Sequence, residues 1–78
     1  MPAAAGFQPF WVENFVATPI WSGIDAAAVN FGLQPQFSSF LVVKPQTGSR
    51  LYVLNPRTNN FGYIDADAVG PSGPPASA

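Results

Sequence analysis

The stretch FSSFLVVKPQTGSRLYVLN, residues 37–55, decides the fold that the sequence predicts. Two apolar runs, at 37–43 and 50–55, are separated by a segment that contains Pro45 and Gly48. Runs of this length, rich in Val, Leu, Phe and Tyr, are typical of β-strands. Proline cannot continue a central ladder, and glycine can adopt the positive φ angle that a tight return needs. The stretch therefore predicts a β-hairpin.

Strand patterns continue on both sides of this hairpin. The segment FWVENFVA at 10–17 alternates between two partly apolar faces, and a short extended piece, IWS, follows Pro19 at a predicted kink or edge. The segment VNF at 29–31 leads towards the hairpin, and FGYI at 61–64 follows the turn-forming sequence NPRTNN. These segments give about five short strands at intervals of about ten residues, which predicts an all-β barrel or small sandwich.

Two short segments with Asp and Ala interrupt the strands. The segment GIDAAAVNFG at 23–32 is interpreted as a loop or as one helical turn capped by Asp25, because it is too short for a stable helix. The segment DADAV at 65–69 is predicted to form a single 3₁₀ turn, capped by Asp65 and stopped by the Gly-Pro pair that follows.

Length and composition limit the size of the core. A chain of 78 residues forms one domain at most, and a domain this small buries only about 60% of the surface that its unfolded chain exposes. With 47% hydrophobic and 14% aromatic residues, large rings must supply much of the buried area. Both ends are rich in Pro, Gly, Ala and Ser, so we expect a domain at 9–70 between flexible linkers at 1–8 and 71–78.

The charge balance and the missing residue types argue against several functions. Three Lys and Arg against four Asp and Glu give a net charge of −1, which provides no attraction for nucleic acid. The chain has no cysteine for a disulfide or a thiolate metal site, and we expect no cofactor. Apolar runs such as FLVV at 40–43 are far too short to cross a bilayer, which takes about 20 residues. The opening MPAAAGFQP lacks the basic and hydrophobic regions of a secretory signal.

The order of these segments resembles bacterial SH3-type (SH3b) domains of secreted and cell-wall proteins. The resemblance covers roughly residues 10–69 and is carried by short motifs in the family's order: SG at 22–23, Gly32 with Pro35, LVV at 41–43 and GYI at 62–64. It implies a small SH3-like barrel of about five strands with a short 3₁₀ turn near the C-terminus. The chain departs from the family at Trp21, where a basic residue is usual, and at DADAV, where the family ending is rich in hydroxyl groups.

Three aromatic residues are the candidate ligand-binding residues: Trp21, Tyr52 and Tyr63. In an SH3-like barrel, either Ile20 or Trp21 would plug one end of the barrel while the following Ser-Gly turns the chain. Alternatively, Trp21 lies on the surface beside the two tyrosines, whose neighbours along their strands are aliphatic and better suited to the core. Such an aromatic groove would hold sugars by stacking, or proline-rich peptides by their preformed helix.

We do not expect this chain to be an enzyme. Without His or Cys, catalysis would depend on carboxylates or on Lys44. Asp65 and Asp67 have the spacing of a carboxylate pair on a strand, but capping and solvation at the predicted 3₁₀ turn explain them more simply. The same two side chains lack the further oxygen ligands that a calcium ion requires, so we expect no metal site.

Two functions of different classes follow from these observations. In the first, the chain is a non-catalytic binding module of an envelope or secreted protein, located outside the cell or in the cell envelope, that anchors to peptidoglycan or to a wall-associated ligand, either a glycan or a peptide. In the second, it is a structural repeat or a self-assembling extracellular subunit. Its low charge and surplus apolar residues would then serve contacts between copies, or with neighbouring domains of a longer chain.

Overall fold

The computed structural model describes residues 7–73, which form seven β-strands and one 3₁₀ turn. The predicted all-β class is confirmed, and so is the predicted 3₁₀ turn after the closing strand. The strands are β1 Phe10–Asn14, β2 Thr18–Trp21, β3 Asn30–Gln34, β4 Ser39–Val42, β5 Arg50–Asn55, β6 Asn60–Asp65 and β7 Val69–Pro71, with the 3₁₀ turn at Ala66–Ala68.

All seven strands belong to one antiparallel sheet with the order β3-β2-β6-β5-β4-β1-β7. Strands β3 and β7 are its two edges and do not pair with each other, so the sheet is not closed. The prediction of a barrel of about five strands is therefore wrong in strand number and in closure. The number is higher because each of the six extended segments named from the sequence forms a strand of its own, and because a further strand follows the 3₁₀ turn.

The central hairpin forms as the sequence predicts. Strands β4 and β5 pair with Val42 opposite Val53, and Gly48 has a φ of +60° in the connection between them. Strand β6 returns along β5 after the predicted turn, in which Asn59 also has a φ of +60°. Asparagine tolerates this backbone region better than most residues. The three strands β4, β5 and β6 thus form the centre of the sheet.

Strand β7 is the element that the sequence did not predict. The Gly-Pro pair that was expected to stop the 3₁₀ turn continues into a strand, in which Pro71 lies opposite Val12 and Val69 lies opposite Asn14. Proline is compatible with this position because an edge strand needs no N–H donor on its free side. Of the predicted linkers, residues 1–6 and 74–78 lie outside the described residues, and Phe7 packs against the core.

The buried face of the sheet uses alternate residues of its strands. The core side chains are 7% exposed or less, and all but one are aliphatic: Val12, Ile20, Phe40, Val42, Leu51, Val53 and Ile64. Gly62 lies on the same face, opposite Val53. A Cβ atom at this position would lie 2.8 Å from Ile20 Cγ1, so β2 can approach β6 this closely only because residue 62 is glycine.

Two buried asparagines tie the end of β3 to strands with which it does not pair. Asn14, the last residue of β1, is fully buried. Its Nδ2 donates to Gln34 O at 3.3 Å and to Pro35 O at 2.9 Å, and its Oδ1 accepts from the Ser38 N–H. Asn55 Nδ2 donates to Gln34 Oε1 at 3.2 Å. Side-chain amides, rather than a closing ladder, therefore hold the curled sheet around its core.

Edge strand β3 also uses side chains to satisfy its own backbone. The Gly32 N–H donates to Asn30 Oδ1 at 2.8 Å, and Gly32 O accepts from Gln34 Nε2 at 3.2 Å. Gly32 has a φ of +136° beside an irregularity in the pairing of β2 with β3. A further strand would need these same N–H and C=O groups. Their use by Asn30 and Gln34 is a physical reason why the ladder does not continue beyond β3.

Replacing Asn14 with Ala should lower the free energy of unfolding by about 2–4 kcal/mol, because it removes the donor to Gln34 O and Pro35 O and leaves the Ser38 N–H without its acceptor. Urea denaturation followed by circular dichroism measures this change. The matched control is Gln46→Ala, since Gln46 is exposed and its Nε2 donates to Gly48 O at 2.8 Å. The control substitution should lower the free energy of unfolding by less than about 0.5 kcal/mol. Equal losses in the two variants would contradict the role given to Asn14.

Candidate functional site

The face of the sheet opposite the core carries aromatic side chains across three neighbouring strands. Trp21 of β2 pairs with Tyr63 of β6, and Tyr63 pairs with Tyr52 of β5. Direct cross-strand partners point to the same face of a sheet. We call Trp21, Tyr63 and Tyr52 the aromatic row. The structure thus brings together the three residues that the sequence analysis selected as candidates.

Tyr52 is at the centre of a continuous aromatic surface. Its ring centroid is 4.8 Å from that of Tyr63, with the ring planes at 52°. The Tyr52 ring also stacks on Phe61, which is on the same strand β6 as Tyr63, with centroids 5.6 Å apart and planes at 12°. Phe61 is 51% exposed, and the sequence analysis did not select it. Phe61 is two residues before Tyr63 on the same strand, so both side chains lie on the same face. This spacing could have identified Phe61 from the sequence.

Two cations lie against rings of the aromatic row. Lys44 Nζ is 4.9 Å from the centroid of the Tyr52 ring. Arg50 Cζ is 4.3 Å from the centroid of the Trp21 ring. Contacts of this kind contribute about 0.5–1 kcal/mol at exposed positions and more when they are desolvated. A cationic side chain therefore lies against the ring at each end of the row.

Arg50 is held in place by two further contacts. Its Nε donates to Asp65 Oδ1 at 3.0 Å, and its Nη1 donates to Gly23 O at 2.8 Å. The predicted role of Asp65 as a cap of the 3₁₀ turn is wrong, since its side chain makes no capping hydrogen bond there. Asp65 instead lies directly opposite Arg50 in the β5–β6 register, and that cross-strand ion pair takes its carboxylate.

The structure separates the roles of Ile20 and Trp21. Ile20 is 7% exposed and belongs to the core, so it takes the buried position that the sequence left open between the two residues. Trp21 is half-buried on the other face, under the guanidinium of Arg50. Its Nε1 is buried and has no hydrogen-bond acceptor among residues 7–73. Trp21 is therefore a constrained member of the row, with one ring face already covered.

An open pocket of about 460 Å³ adjoins the exposed end of this aromatic surface. It is lined by Ile20, Phe31, Asn60 and Phe61. Phe31 lies on edge strand β3 and is 59% exposed, and Phe61 carries the surface on to Tyr52. This pocket could not be predicted from the sequence, because it combines residues of β2 and β3 with residues of β6 that are far away in the chain.

The carboxylates that the sequence raised as a catalytic pair are in different surroundings. Asp65 is paired with Arg50, whereas Asp67 is exposed in the 3₁₀ turn. Within residues 7–73, no group of three or more metal-ligating side chains is placed to hold a metal ion. Over the same part of the chain, no helix is long and apolar enough to span a membrane.

Comparisons with known proteins give the chain no family. No protein-family model, curated protein or solved structure matches it. The resemblance to SH3b domains therefore stays a prediction. The case for a site depends on the geometry of the aromatic row, of the cations beside it and of the adjoining pocket.

Replacing Arg50 with Met should lower the free energy of unfolding by about 1–2 kcal/mol. The variant keeps the aliphatic stem but removes the cation over Trp21, the ion pair with Asp65 and the bond to Gly23 O. Thermal or urea denaturation measures the change. The matched control is Arg57→Met, because Arg57 is exposed and its one side-chain bond, to Gln34 Oε1, is 3.4 Å long. An equal effect of both substitutions would show that the contacts of Arg50 stabilise the fold no more than the exposed side chain of Arg57 does.

Proposed function

We propose that this chain is a non-catalytic binding module of an envelope or secreted protein, and that its aromatic row anchors it to peptidoglycan or to another wall-associated ligand. The observation that carries the proposal is the placement of Trp21, Tyr63 and Tyr52 side by side on the face that the core does not use. The order of sequence motifs that resembles SH3b domains supports the cell envelope as the place where it acts.

The chemistry of the row suits an extended ligand. Flat rings on adjacent strands offer apolar faces for stacking, and tyrosine hydroxyls supply hydrogen bonds at the wet edge. Tyr52 and Tyr63 are both half-buried, so their rings are fixed by packing before a ligand arrives. A preformed surface loses less conformational entropy on binding than a mobile one. The row therefore needs no rearrangement of the sheet to make contact.

Replacing Tyr52 with Ala should weaken retention on isolated cell-wall sacculi by about fivefold to tenfold, which corresponds to the loss of one stacking contact. Cosedimentation of the purified chain with sacculi measures retention, and circular dichroism confirms that the variant is folded. The matched control is Phe15→Ala, which removes a 52% exposed aromatic side chain outside the row. Unchanged retention of a folded Tyr52→Ala variant, or an equal loss in the control, would refute the proposed surface.

A second function, self-assembly, is favoured by edge strand β3. Phe31 and Leu33 are 59% and 66% exposed there, and β3 contains no charged residue of the kind that protects sheet edges. The amides that occupy the backbone groups of Gly32 weigh against strand pairing at this edge. The same cosedimentation, run without sacculi, separates the two functions: a chain that pellets alone assembles with itself, and one that pellets only with sacculi binds them.

A further inference from the structure

The pocket next to the aromatic row identifies the class of ligand more closely. We propose that the site takes a polypeptide segment that carries an apolar side chain and an acidic side chain close together, the first in the pocket and the second on Lys44. This inference rests on the proposed function, because it names the ligand of the same surface. It commits to a peptide rather than to the glycan part of the wall.

The lining of the pocket selects an apolar side chain. Three of its four lining residues, Ile20, Phe31 and Phe61, present hydrocarbon, and Asn60 supplies a single amide. The two phenylalanines are more than half exposed, so a side chain between them would remove apolar surface from water on both partners. A sugar ring carries hydroxyls around its whole edge, and one amide cannot satisfy them. A leucine-like side chain leaves no polar group unpaired there.

The charge beside the pocket selects an acidic neighbour. The one ion pair within residues 7–73 joins Arg50 to Asp65. Lys44 therefore has no acidic partner in the part of the chain that the structure describes. Lys44 is exposed, and its ammonium is over the Tyr52 ring. A carboxylate brought to this ammonium would be complementary in charge, next to a ring that holds the cation in position.

The Tyr52 ring contacts both the cation and one wall of the pocket. Both the Lys44 ammonium and the Phe61 ring contact the same Tyr52 ring, at 4.9 Å and 5.6 Å from its centroid. Side chains two positions apart on an extended chain lie on the same side and are separated by about 7 Å. We therefore place a segment of the type Asp-x-Leu across Tyr52, with its acidic side chain at the cation and its apolar side chain at the Phe61 wall of the pocket.

The test is a titration of the ¹⁵N-labelled chain with synthetic peptides, followed by amide chemical shifts. The probe is Ac-Gly-Asp-Gly-Leu-Gly-NH₂, the matched controls carry Asn for Asp or Ala for Leu, and chitotetraose represents the glycan. We expect the probe to shift the signals of Lys44, Tyr52 and Phe61, and each peptide control to bind about fivefold more weakly. Chitotetraose should leave these signals unchanged.

Protein variants provide the reciprocal test. Lys44→Gln should weaken the probe by about fivefold, whereas Lys44→Arg should retain it, because only the first removes the charge. Phe31→Ala should weaken the probe, whereas Leu33→Ala should not, because Leu33 is equally exposed on β3 but does not line the pocket. These positions are on the surface, so folding is preserved in each variant.

The outcomes separate this inference from the proposed function. Equal binding of the Asp and Asn peptides, or no effect of Lys44→Gln, would refute the claim that Lys44 binds an acidic side chain of the ligand. Binding of chitotetraose but of no peptide overturns the peptide class and leaves the wall-binding function standing. If neither probe binds but sacculi retain the chain and Tyr52→Ala weakens that retention, the inference is wrong and the proposed function is unaffected. If Tyr52→Ala leaves retention unchanged, both the inference and the proposed function are wrong.

Discussion

One constraint governs this structure: a single sheet, with no helix to cover it among the described residues, must build the core from one face only. The aliphatic side chains take that face, because alternate residues of each strand point to it. The large rings of Tyr52 and Tyr63, which alternate with them, are thereby directed to the other face. The aromatic surface is therefore a consequence of how the core is filled, and the proposed ligand site depends on the same alternation.

The curl of the sheet depends on amides rather than on backbone pairing. The Asn14 amide donates to the carbonyls at the end of β3, Asn30 Oδ1 accepts from the Gly32 N–H, and Gln34 Nε2 donates to Gly32 O. A side-chain amide can satisfy both a donor and an acceptor, which a closing strand would otherwise do. This arrangement keeps the core covered while leaving β3 as an edge, and it places Phe31 beside Phe61 at the rim of the pocket.

Much of the fold follows from local patterns in the sequence, because the hairpin at 37–55 and the positive φ of Gly48 depend on neighbouring residues. The placement of Tyr52 and Tyr63 on the same face could also be predicted from the sequence, since both alternate with aliphatic residues. Strand β7 did not, because its Gly-Pro sequence forms a strand only when β1 is alongside. The pairing of Arg50 with Asp65 and the pocket depend on register across strands, which composition and periodicity do not specify.

The central claim is that the face opposite the core is the ligand surface. The most direct measurement is cross-saturation: the perdeuterated, ¹⁵N-labelled chain is mixed with protonated sacculi, the sacculus protons are irradiated, and the loss of each amide signal is recorded. We expect losses centred on β5 and β6, at Tyr52, Phe61 and Tyr63. Losses centred on β7 or on the free edge of β3, with Tyr52 and Tyr63 unaffected, would contradict it.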